Sequence, residues 1–241
     1  MKWLFAVVSV VAVLFVGLLI APSFFDWNKY KGQALAAVAE QTGYDVTIGG
    51  DISMAILPSP RVFLEDVVVK DPSDASGGRE LASLGRLGVM VQLSPLFSKR
   101  VVVDSIELET PKISLIKDKD GQFNFMTPKI EAMMAGKDEA GSDKNAADGP
   151  AFDAAFDRVN IIDGTFIYSD VAAKAPMEIS SINVLVRAAS LEGPFGVKGD
   201  LAYNSVPVVF EAKTKKINMA TQSTNLNLKA NYDGIDVTYS G

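Results

Sequence analysis

The residues of this sequence that could perform chemistry are two acidic pairs. Glu65 and Asp66 are adjacent, and Asp118 and Asp120 stand two residues apart in the run KDKDG. Paired carboxylates can act as general acid and base, and clustered ones can bind Ca²⁺. Adjacent residues on a strand point to opposite faces, so Glu65 and Asp66 cannot share a substrate unless the strand bulges there. KDKDG lacks the later Gly and Glu of a calcium loop, so it predicts a turn.

Histidine and cysteine are both absent from the 241 residues. This removes histidine triads, the HExxH metal motif and thiolate zinc sites. The sequence also has no GxGxxG, Walker A or GxSxG motif, and Gly49-Gly50 predicts a turn because no helix start follows it. No group of reactive side chains is predicted to come together in the fold. We therefore expect a protein that is not an enzyme, with no catalytic residues, no metal and no cofactor.

Charge and hydropathy narrow the class of partner. The formal net charge is −6, and no basic run exists, so a nucleic-acid partner is not expected. Hydrophobic residues make up 48% of the chain, which is enough for a folded protein and places it outside the disordered class.

The stretch from Trp3 to Phe25 contains no charged residue. About 20 apolar residues make a helix that matches the hydrocarbon core of a bilayer, roughly 30 Å thick. We interpret residues 1–25 as a single transmembrane anchor, with Trp3, Phe15 and Leu19 in the span. A cleaved signal peptide would be shorter, and a soluble core helix would show a polar face.

The flanking charges predict how this anchor is oriented. Lys2 precedes the span and Asp26 follows it, so the positive-inside rule puts residue 1 in the cytoplasm. The bulk of the chain then lies across the membrane. Trp27 and Tyr30 follow directly and are expected at the membrane interface, where aromatic rings are favoured.

Residues 26–43 predict a short amphipathic helix. Asp26 can cap a helix that starts at Trp27, and Gly43 is placed to end it. One face carries apolar residues at helical spacing, namely Trp27, Tyr30, Ala34, Leu35 and Val38. Such a helix can cover one end of the following sheet or lie along the membrane surface, and the two are compatible.

From Tyr44 onward the hydrophobic period is two, broken by turn signals about every ten residues, which predicts ten to twelve antiparallel strands. We assign 44–128 to the first part of the sheet, 129–150 to a flexible loop with a short helix at 129–135, and 151–241 to the continuation. Asp233-Gly234 predicts a hairpin turn that leaves the last edge of the sheet exposed. This suggests a truncated piece of a longer protein. Periodicity alone leaves a closed sandwich or barrel and an open trough equally possible.

Several motifs resemble one family. They include TGYDVTIGGDISMAILPSPRVFLEDVVVKDP at 42–72, LSPLF at 93–97, VVVDSIELETPKISLIKD at 101–118, DGQFNF at 120–125, IIDGTFIYSD at 161–170 and LEGPFGVKGDLAYNSVPVVF at 191–210. Together with the N-terminal span and helix, they are similar to the AsmA family of Gram-negative envelopes. These motifs are turns and strands, so no catalytic residue is carried over.

The resemblance implies a mainly β fold: one transmembrane helix, one amphipathic helix, and a long twisted antiparallel sheet curled into an open apolar groove. It further implies an inner-membrane, single-pass protein whose bulk is periplasmic, similar to TamB-related bridge-like lipid-transfer proteins. The implied role is to bind phospholipid or another acyl lipid and help transfer it between inner and outer membranes. Candidate groove residues are Leu201, Tyr203, Leu226, Leu228 and Tyr232. The alternative is a scaffold that helps outer-membrane proteins assemble through its exposed strand edge.

Overall fold

The computed structural model describes residues 26–56, 59–74, 79–96, 98, 100–134, 151–173, 175–188, 190, 193–217 and 224–241. The anchor residues Trp3, Phe15 and Leu19 lie outside these ranges, as do residues 135–150 of the predicted loop. Across the described ranges, no helix has the length and hydropathy needed to cross a bilayer. The transmembrane span therefore stays a prediction.

The predicted N-terminal helix is confirmed. A 3₁₀ turn, Trp27–Tyr30, leads directly into helix α1 (Lys31–Thr42). The Asp26 carboxylate accepts a hydrogen bond of 3.2 Å from the Asn28 backbone N–H and caps the turn. Gly43 ends the helix in the left-handed conformation, with φ of 78°. Two short helices follow later, α2 (Leu93–Leu96) and α3 (Pro128–Met134), and α3 matches the short helix expected near residue 129.

The rest of the described chain is mainly β, as predicted, with 60% strand. The strands are β1 (Val46–Ile48), β2 (Ile52–Ala55), β3 (Arg61–Lys70), β4 (Glu80–Val91), β5 (Arg100–Glu109), β6 (Lys112–Lys117), β7 (Ala151–Asp170), β8 (Met177–Ala188), β9 (Phe195–Tyr203), β10 (Val206–Thr214), β11 (Leu226–Tyr232) and β12 (Ile235–Ser240).

All twelve described strands join one sheet in the order β1-β3-β4-β5-β7-β8-β9-β10-β11-β12, with β2 beside β3 and β6 between β4 and β7. The expectation of a wholly antiparallel sheet is wrong, because β7 runs parallel to β5 and β6. The cause is the connection after β6. β5 and β6 run in one direction with only Thr110 and Pro111 between them, and the long segment that follows returns the chain to the opposite end before β7 begins.

A row of unusual residues crosses strands β3 to β8 at one level. Asp66, Thr110, Asp163 and Ser181 all have positive φ, between 49° and 52°. The pairs Glu65↔Arg86 and Val67↔Leu84 place Gly85 opposite Asp66 in this row. A side chain at Gly85 would come within 2.4 Å of the Thr110 Oγ1, so only glycine fits there. We call these five positions the reversal row.

At the reversal row each strand exchanges the faces to which its odd and even residues point. A Cβ placed on Gly164 would touch Ile161 Cγ2 at 3.1 Å, Ile182 Cβ at 3.2 Å and Pro111 Cγ at 3.3 Å. Ile161 and Gly164 therefore share a face although they are three residues apart, where regular alternation would separate them. Because neighbouring strands all take this step together, the register between β4 and the β5/β6 pair is the same on both sides of the row. The row also explains the apolar residues of both parities in β3.

The sheet has almost no fully buried apolar core. Among the described hydrophobic residues, only Leu81 and Ala188 fall below 9% exposure, at 7% and 5%. Most other apolar side chains of the sheet are half-buried. A sandwich or closed barrel of this size would bury many large side chains completely, so the described part of the sheet is not closed on itself.

Candidate functional site

The C-terminal strands carry one continuous apolar face. Paired residues point the same way, so the rows Leu201–Val208–Tyr232–Ile235 and Val197–Ala212–Leu228–Tyr239 each cross four strands on a single face. Tyr203 and Leu226 lie on this same face by alternation. The five residues predicted to line a lipid groove are therefore brought onto one face, which we call the apolar face. Whether they contact lipid stays a prediction.

The apolar face is open to solvent. Its exposed fractions rise toward the sheet edge, from 37% at Tyr203 and 40% at Tyr232 to 63% at Ile235 and 54% at Tyr239. None of the described helices packs on β8 to β12. Exposed apolar surface of this extent usually marks a binding surface.

The opposite face, which we call the polar face, carries charges in alternating rows. Lys198, Glu211 and Lys229 are paired across β9, β10 and β11. Glu211 accepts a hydrogen bond of 2.6 Å from the Lys213 ammonium. That contact lowers the pKa of Glu211, with further help from Lys229 and Lys198 nearby. Cationic side chains therefore surround Glu211 on this face.

A depression of about 940 Å³ follows strands β7 to β12. Each strand contributes three consecutive residues, of which the outer two belong to the polar face, such as Lys198 and Asp200 around Gly199. Half of its lining residues are polar or charged, and all of these are among the outer two of each set of three. None of the five predicted groove residues lines this depression. The concavity and the apolar face are thus different parts of the same strands.

Helix α1 lies along the opposite edge of the sheet. The Asn28 side chain accepts a hydrogen bond of 2.9 Å from the Ile52 backbone N–H and donates one of 3.2 Å to Asp51. The Lys31 ammonium donates to the Gly50 carbonyl. These contacts cover the edge formed by β1 and β2, as the sequence allows for a helix beside the sheet.

The aromatic residues expected at a membrane interface lie at the start of this helix. The rings of Trp27 and Tyr30 have centroids 6.4 Å apart, and Tyr30 is 47% exposed. Val38, on the predicted apolar side of α1, is 40% exposed. The helix therefore presents apolar groups outward while its polar groups hold the sheet edge.

A buried polar cluster joins the ends of β3, β4 and β6. The Asp71 carboxylate accepts hydrogen bonds from Arg79 Nε at 2.6 Å, Asn124 Nδ2 at 3.0 Å and Ser73 Oγ at 2.6 Å. Asp71 and Asn124 are each only 3% exposed. Burial alone would raise the pKa of Asp71, but the hydrogen bonds from Ser73, Asn124 and Arg79 outweigh it, and the pKa lies below its usual value.

A second set of contacts ties the same segment to helix α1. Thr127 Oγ1 donates to the Thr42 carbonyl at 2.8 Å and accepts from the Ile130 N–H. The Tyr44 hydroxyl donates to the Phe125 carbonyl at 2.5 Å, and burial raises the pKa of Tyr44. We call these contacts, the Asp71 cluster and the Asn28 and Lys31 contacts the N-terminal staples.

Sequence reasoning missed the staples, because their partners are far apart in the chain. Asn124 reaches Asp71 over 53 residues, and Thr127 reaches Thr42 over 85. A usable signal was the QFNF run after the KDKDG turn, where a single Asn stands between two aromatic residues. The turn itself is confirmed, with the Asp118 carboxylate accepting from the Asp120 and Gln122 N–H groups.

Comparison with protein families agrees with this architecture. The model of the AsmA family matches residues 1–238. The chain belongs to the AsmA family. A search of curated proteins found no match. Membership of the AsmA family is consistent with a role associated with the cell envelope. Within the described residues of this AsmA-family chain, no three acidic side chains gather at a possible metal site.

Proposed function

We propose that this protein binds phospholipid on the apolar face and helps its transfer between the inner and outer membranes, anchored in the inner membrane by residues 1–25 with its bulk in the periplasm. The observation that carries the proposal is the open apolar face of β8 to β12, which no described helix covers. Acyl chains are the apolar guests available beside a bilayer.

Membership of the AsmA family and the apolar segment at residues 3–25 support the envelope setting. The sheet also suits a conduit better than a closed pocket. Paired rows on the apolar face continue from strand to strand without interruption, as from Val208 to Tyr232 to Ile235. An acyl chain could then move across strands over a similar surface. In this proposal lipid binds the apolar face, which is separate from the described depression.

Photo-crosslinking at defined positions tests which face meets lipid. A photoreactive amino acid is placed at Leu201 or Leu228 on the apolar face, and at Val209 or Lys229 on the polar face of the same strands. The full chain is irradiated in its native envelope, and adducts are identified by mass spectrometry. We expect phospholipid adducts at the apolar-face positions only. Equal adducts on both faces, or none on the apolar face, would contradict the proposal.

A charge substitution gives an independent test. Leu226→Asp with Leu228→Asp puts two carboxylates on the apolar face, and we expect at least a tenfold loss of co-purified phospholipid. The matched control is Asn225→Asp with Asn227→Asp, which adds the same charge on the polar face beside the same residues. Lipid content that falls equally in both variants would show that charge, rather than the face, is responsible.

One observation favours a second function. β12 is the edge of the sheet and all six of its residues are exposed. An unpaired edge can accept a strand from another protein, so a scaffold for outer-membrane protein assembly is the alternative proposal. Crosslinks from Val237 or Tyr239 to another β protein, in place of lipid, would favour it.

A further inference from the structure

Three cations cross strands β7, β8 and β10 at one level, which is near the ends of β8 and β10. Arg158 pairs with Arg187, Arg187 with Gly196, and Gly196 with Lys213. All four positions therefore lie on the polar face. Like charges on neighbouring strands repel one another, so a row of this kind is stabilised when an anion binds to it.

Gly196 leaves a gap in the middle of this row. A Cβ built there meets nothing within 4 Å, so the space above it is open. Arg187 and Lys213 stand on the strands to either side, with Cα atoms roughly 10 Å apart since two strand spacings separate them. Both side chains are long enough to reach toward a group seated over Gly196.

Two depressions meet at this gap. One, of about 430 Å³, extends to the strand ends at Pro194 and Thr214, and the other, of about 210 Å³, extends toward Lys198 and Glu211. Arg187, Gly196 and Lys213 line both of them. A group bound over Gly196 therefore has room for a substituent on each side.

The charges around the gap are predominantly positive. The side chains of Arg158 and Arg187 make no hydrogen bond or ion pair with any residue that the structure describes. Lys213 contacts Glu211 at 2.6 Å, which leaves other ammonium hydrogens free to donate. Asp157 and Glu211 are the acids that line the two depressions, against Arg187, Lys213 and Lys198.

From this arrangement we propose that Arg187 and Lys213 form a phosphate-binding notch over Gly196, suited to a phosphodiester. The guanidinium can bind two phosphate oxygens at once, and the ammonium binds a third as a point charge. The two remaining ester substituents lie in the two depressions. The phosphate can belong to a phospholipid headgroup or to a soluble phosphodiester. The notch lies on the polar face, so it does not depend on lipid binding by the apolar face.

The test uses the full chain in nanodiscs of zwitterionic lipid, with sn-glycero-3-phosphoglycerol as the soluble phosphodiester. Binding is followed by calorimetry in the wild type and in two variants. Arg187→Gln with Lys213→Gln removes the cations. Gly196→Leu keeps every charge and fills the gap, and the open space there lets the strand accept it. We expect each variant to weaken binding about tenfold or more.

A matched control removes two charges elsewhere. Lys112→Gln with Lys117→Gln alters cations on β6, which pair with Thr165 and Asp170 of β7, well along that strand from Arg158, and binding should remain within twofold of wild type. A second arm uses nanodiscs containing phosphatidylglycerol and a photoreactive residue at Leu185, which lies on the polar face and lines the smaller depression. Headgroup adducts lost in both notch variants, without soluble binding, would identify a lipid source for the phosphate. Binding or crosslinking that persists in Gly196→Leu, or is absent from the wild type in both arms, overturns the notch.

Discussion

The two ends of this sheet are held together by different means. At the N-terminal end, the staples tie helix α1, the strand ends and the segment before α3 through side chains that include Asp71, Asn124 and Thr127, each 3% exposed. At the C-terminal end, β9 joins β10 and β11 joins β12 through two-residue turns, such as Asn204-Ser205, and the backbone pairing from β9 to β12 is regular. Several side-chain hydrogen bonds there are exposed, as between Asn231 and Asp236.

The contacts that stabilise the sheet and the surfaces that it exposes therefore lie at different ends. The end next to the apolar N-terminal segment is fixed by buried polar contacts, and helix α1 covers its edge strands. The other end keeps both its apolar face and its edge open. We infer that the staples stabilise the sheet while the C-terminal strands stay available for a guest or a partner. Four predictions address this difference.

The largest effect is expected at Asp71. Asp71→Ala removes the acceptor for Arg79, Asn124 and Ser73, and leaves the buried Asn124 amide with a lost hydrogen bond. We expect the free energy of unfolding to fall by about 3 kcal/mol. Denaturant unfolding of the full chain measures it. The matched control, Glu211→Ala, removes an exposed ion pair of equal length and should have little effect. Equal losses of unfolding free energy in both variants would contradict the proposed difference between the two ends of the sheet.

The pH dependence of the unfolding free energy should reveal the ionisation of Asp71. Its pKa is lowered in the folded state, so its contribution is fully present above the unfolded value of about 3.9. That contribution is lost as the pH falls through the folded pKa. The difference in unfolding free energy between wild type and Asp71→Asn should therefore narrow below about pH 4. A difference that stays constant down to pH 2 would show that folding does not lower the pKa of Asp71.

A smaller effect is expected where helix α1 meets the sheet edge. Asn28→Ala leaves the Ile52 N–H without its acceptor, and we expect a loss of about 1 kcal/mol. Hydrogen exchange at Ile52 and along α1 should become faster. Asn231→Ala at the C-terminal end, which removes a contact to Asp236, is the control. If Asn231→Ala disturbs the fold as much as Asn28→Ala, the edge contact of α1 has no special role.

The smallest effect on the whole fold is expected at the last hairpin. Gly234 has φ of 79°, a conformation that costs alanine about 1 kcal/mol. In Gly234→Ala we expect faster exchange in β11 and β12 with little change at β3 or β4, because among the described strands β12 pairs with β11 alone. Asn225→Ala, outside the turn, serves as the comparison. Exchange that also accelerates across β3 would show that the two ends unfold as one unit.

Local chemistry made part of this fold predictable from sequence. The cap at Asp26, the helix end at Gly43 and the hairpin at Asp233-Gly234 were each predicted from a few neighbouring residues, and each is confirmed. The parallel pairing of β7 was not predicted, because its strand pattern looks the same in either direction. The mixed parity of β3 suggested either burial on both faces or a bulge near Glu65 and Asp66. Asp66 has positive φ, but the pairing of β3 with β4 keeps the same register there, and the register shifts only between Val69 and Lys70.

The candidate sites could not be predicted from short stretches of sequence, because strand pairing brings their residues together. Alternation placed Leu201 and Leu228 correctly on one face, since a strand's period is two. The cationic row was invisible because Arg187, Gly196 and Lys213 are separated by 9 and 17 residues and adjoin only through strand pairing. The depression likewise depends on the side-by-side pairing of six strands.

The reversal row has a consequence for how this protein can change over generations. Deleting Asp163 alone would exchange the apolar and polar faces of the rest of β7, while the neighbouring strands would keep theirs. The row cannot end between two strands of the sheet unless a change of register between them compensates for it. It ends at β8, where a register shift between Ser180 and Asn183 absorbs the mismatch. Strands inside it are constrained to gain or lose residues jointly, whereas β9 to β12 are free to vary in length one hairpin at a time.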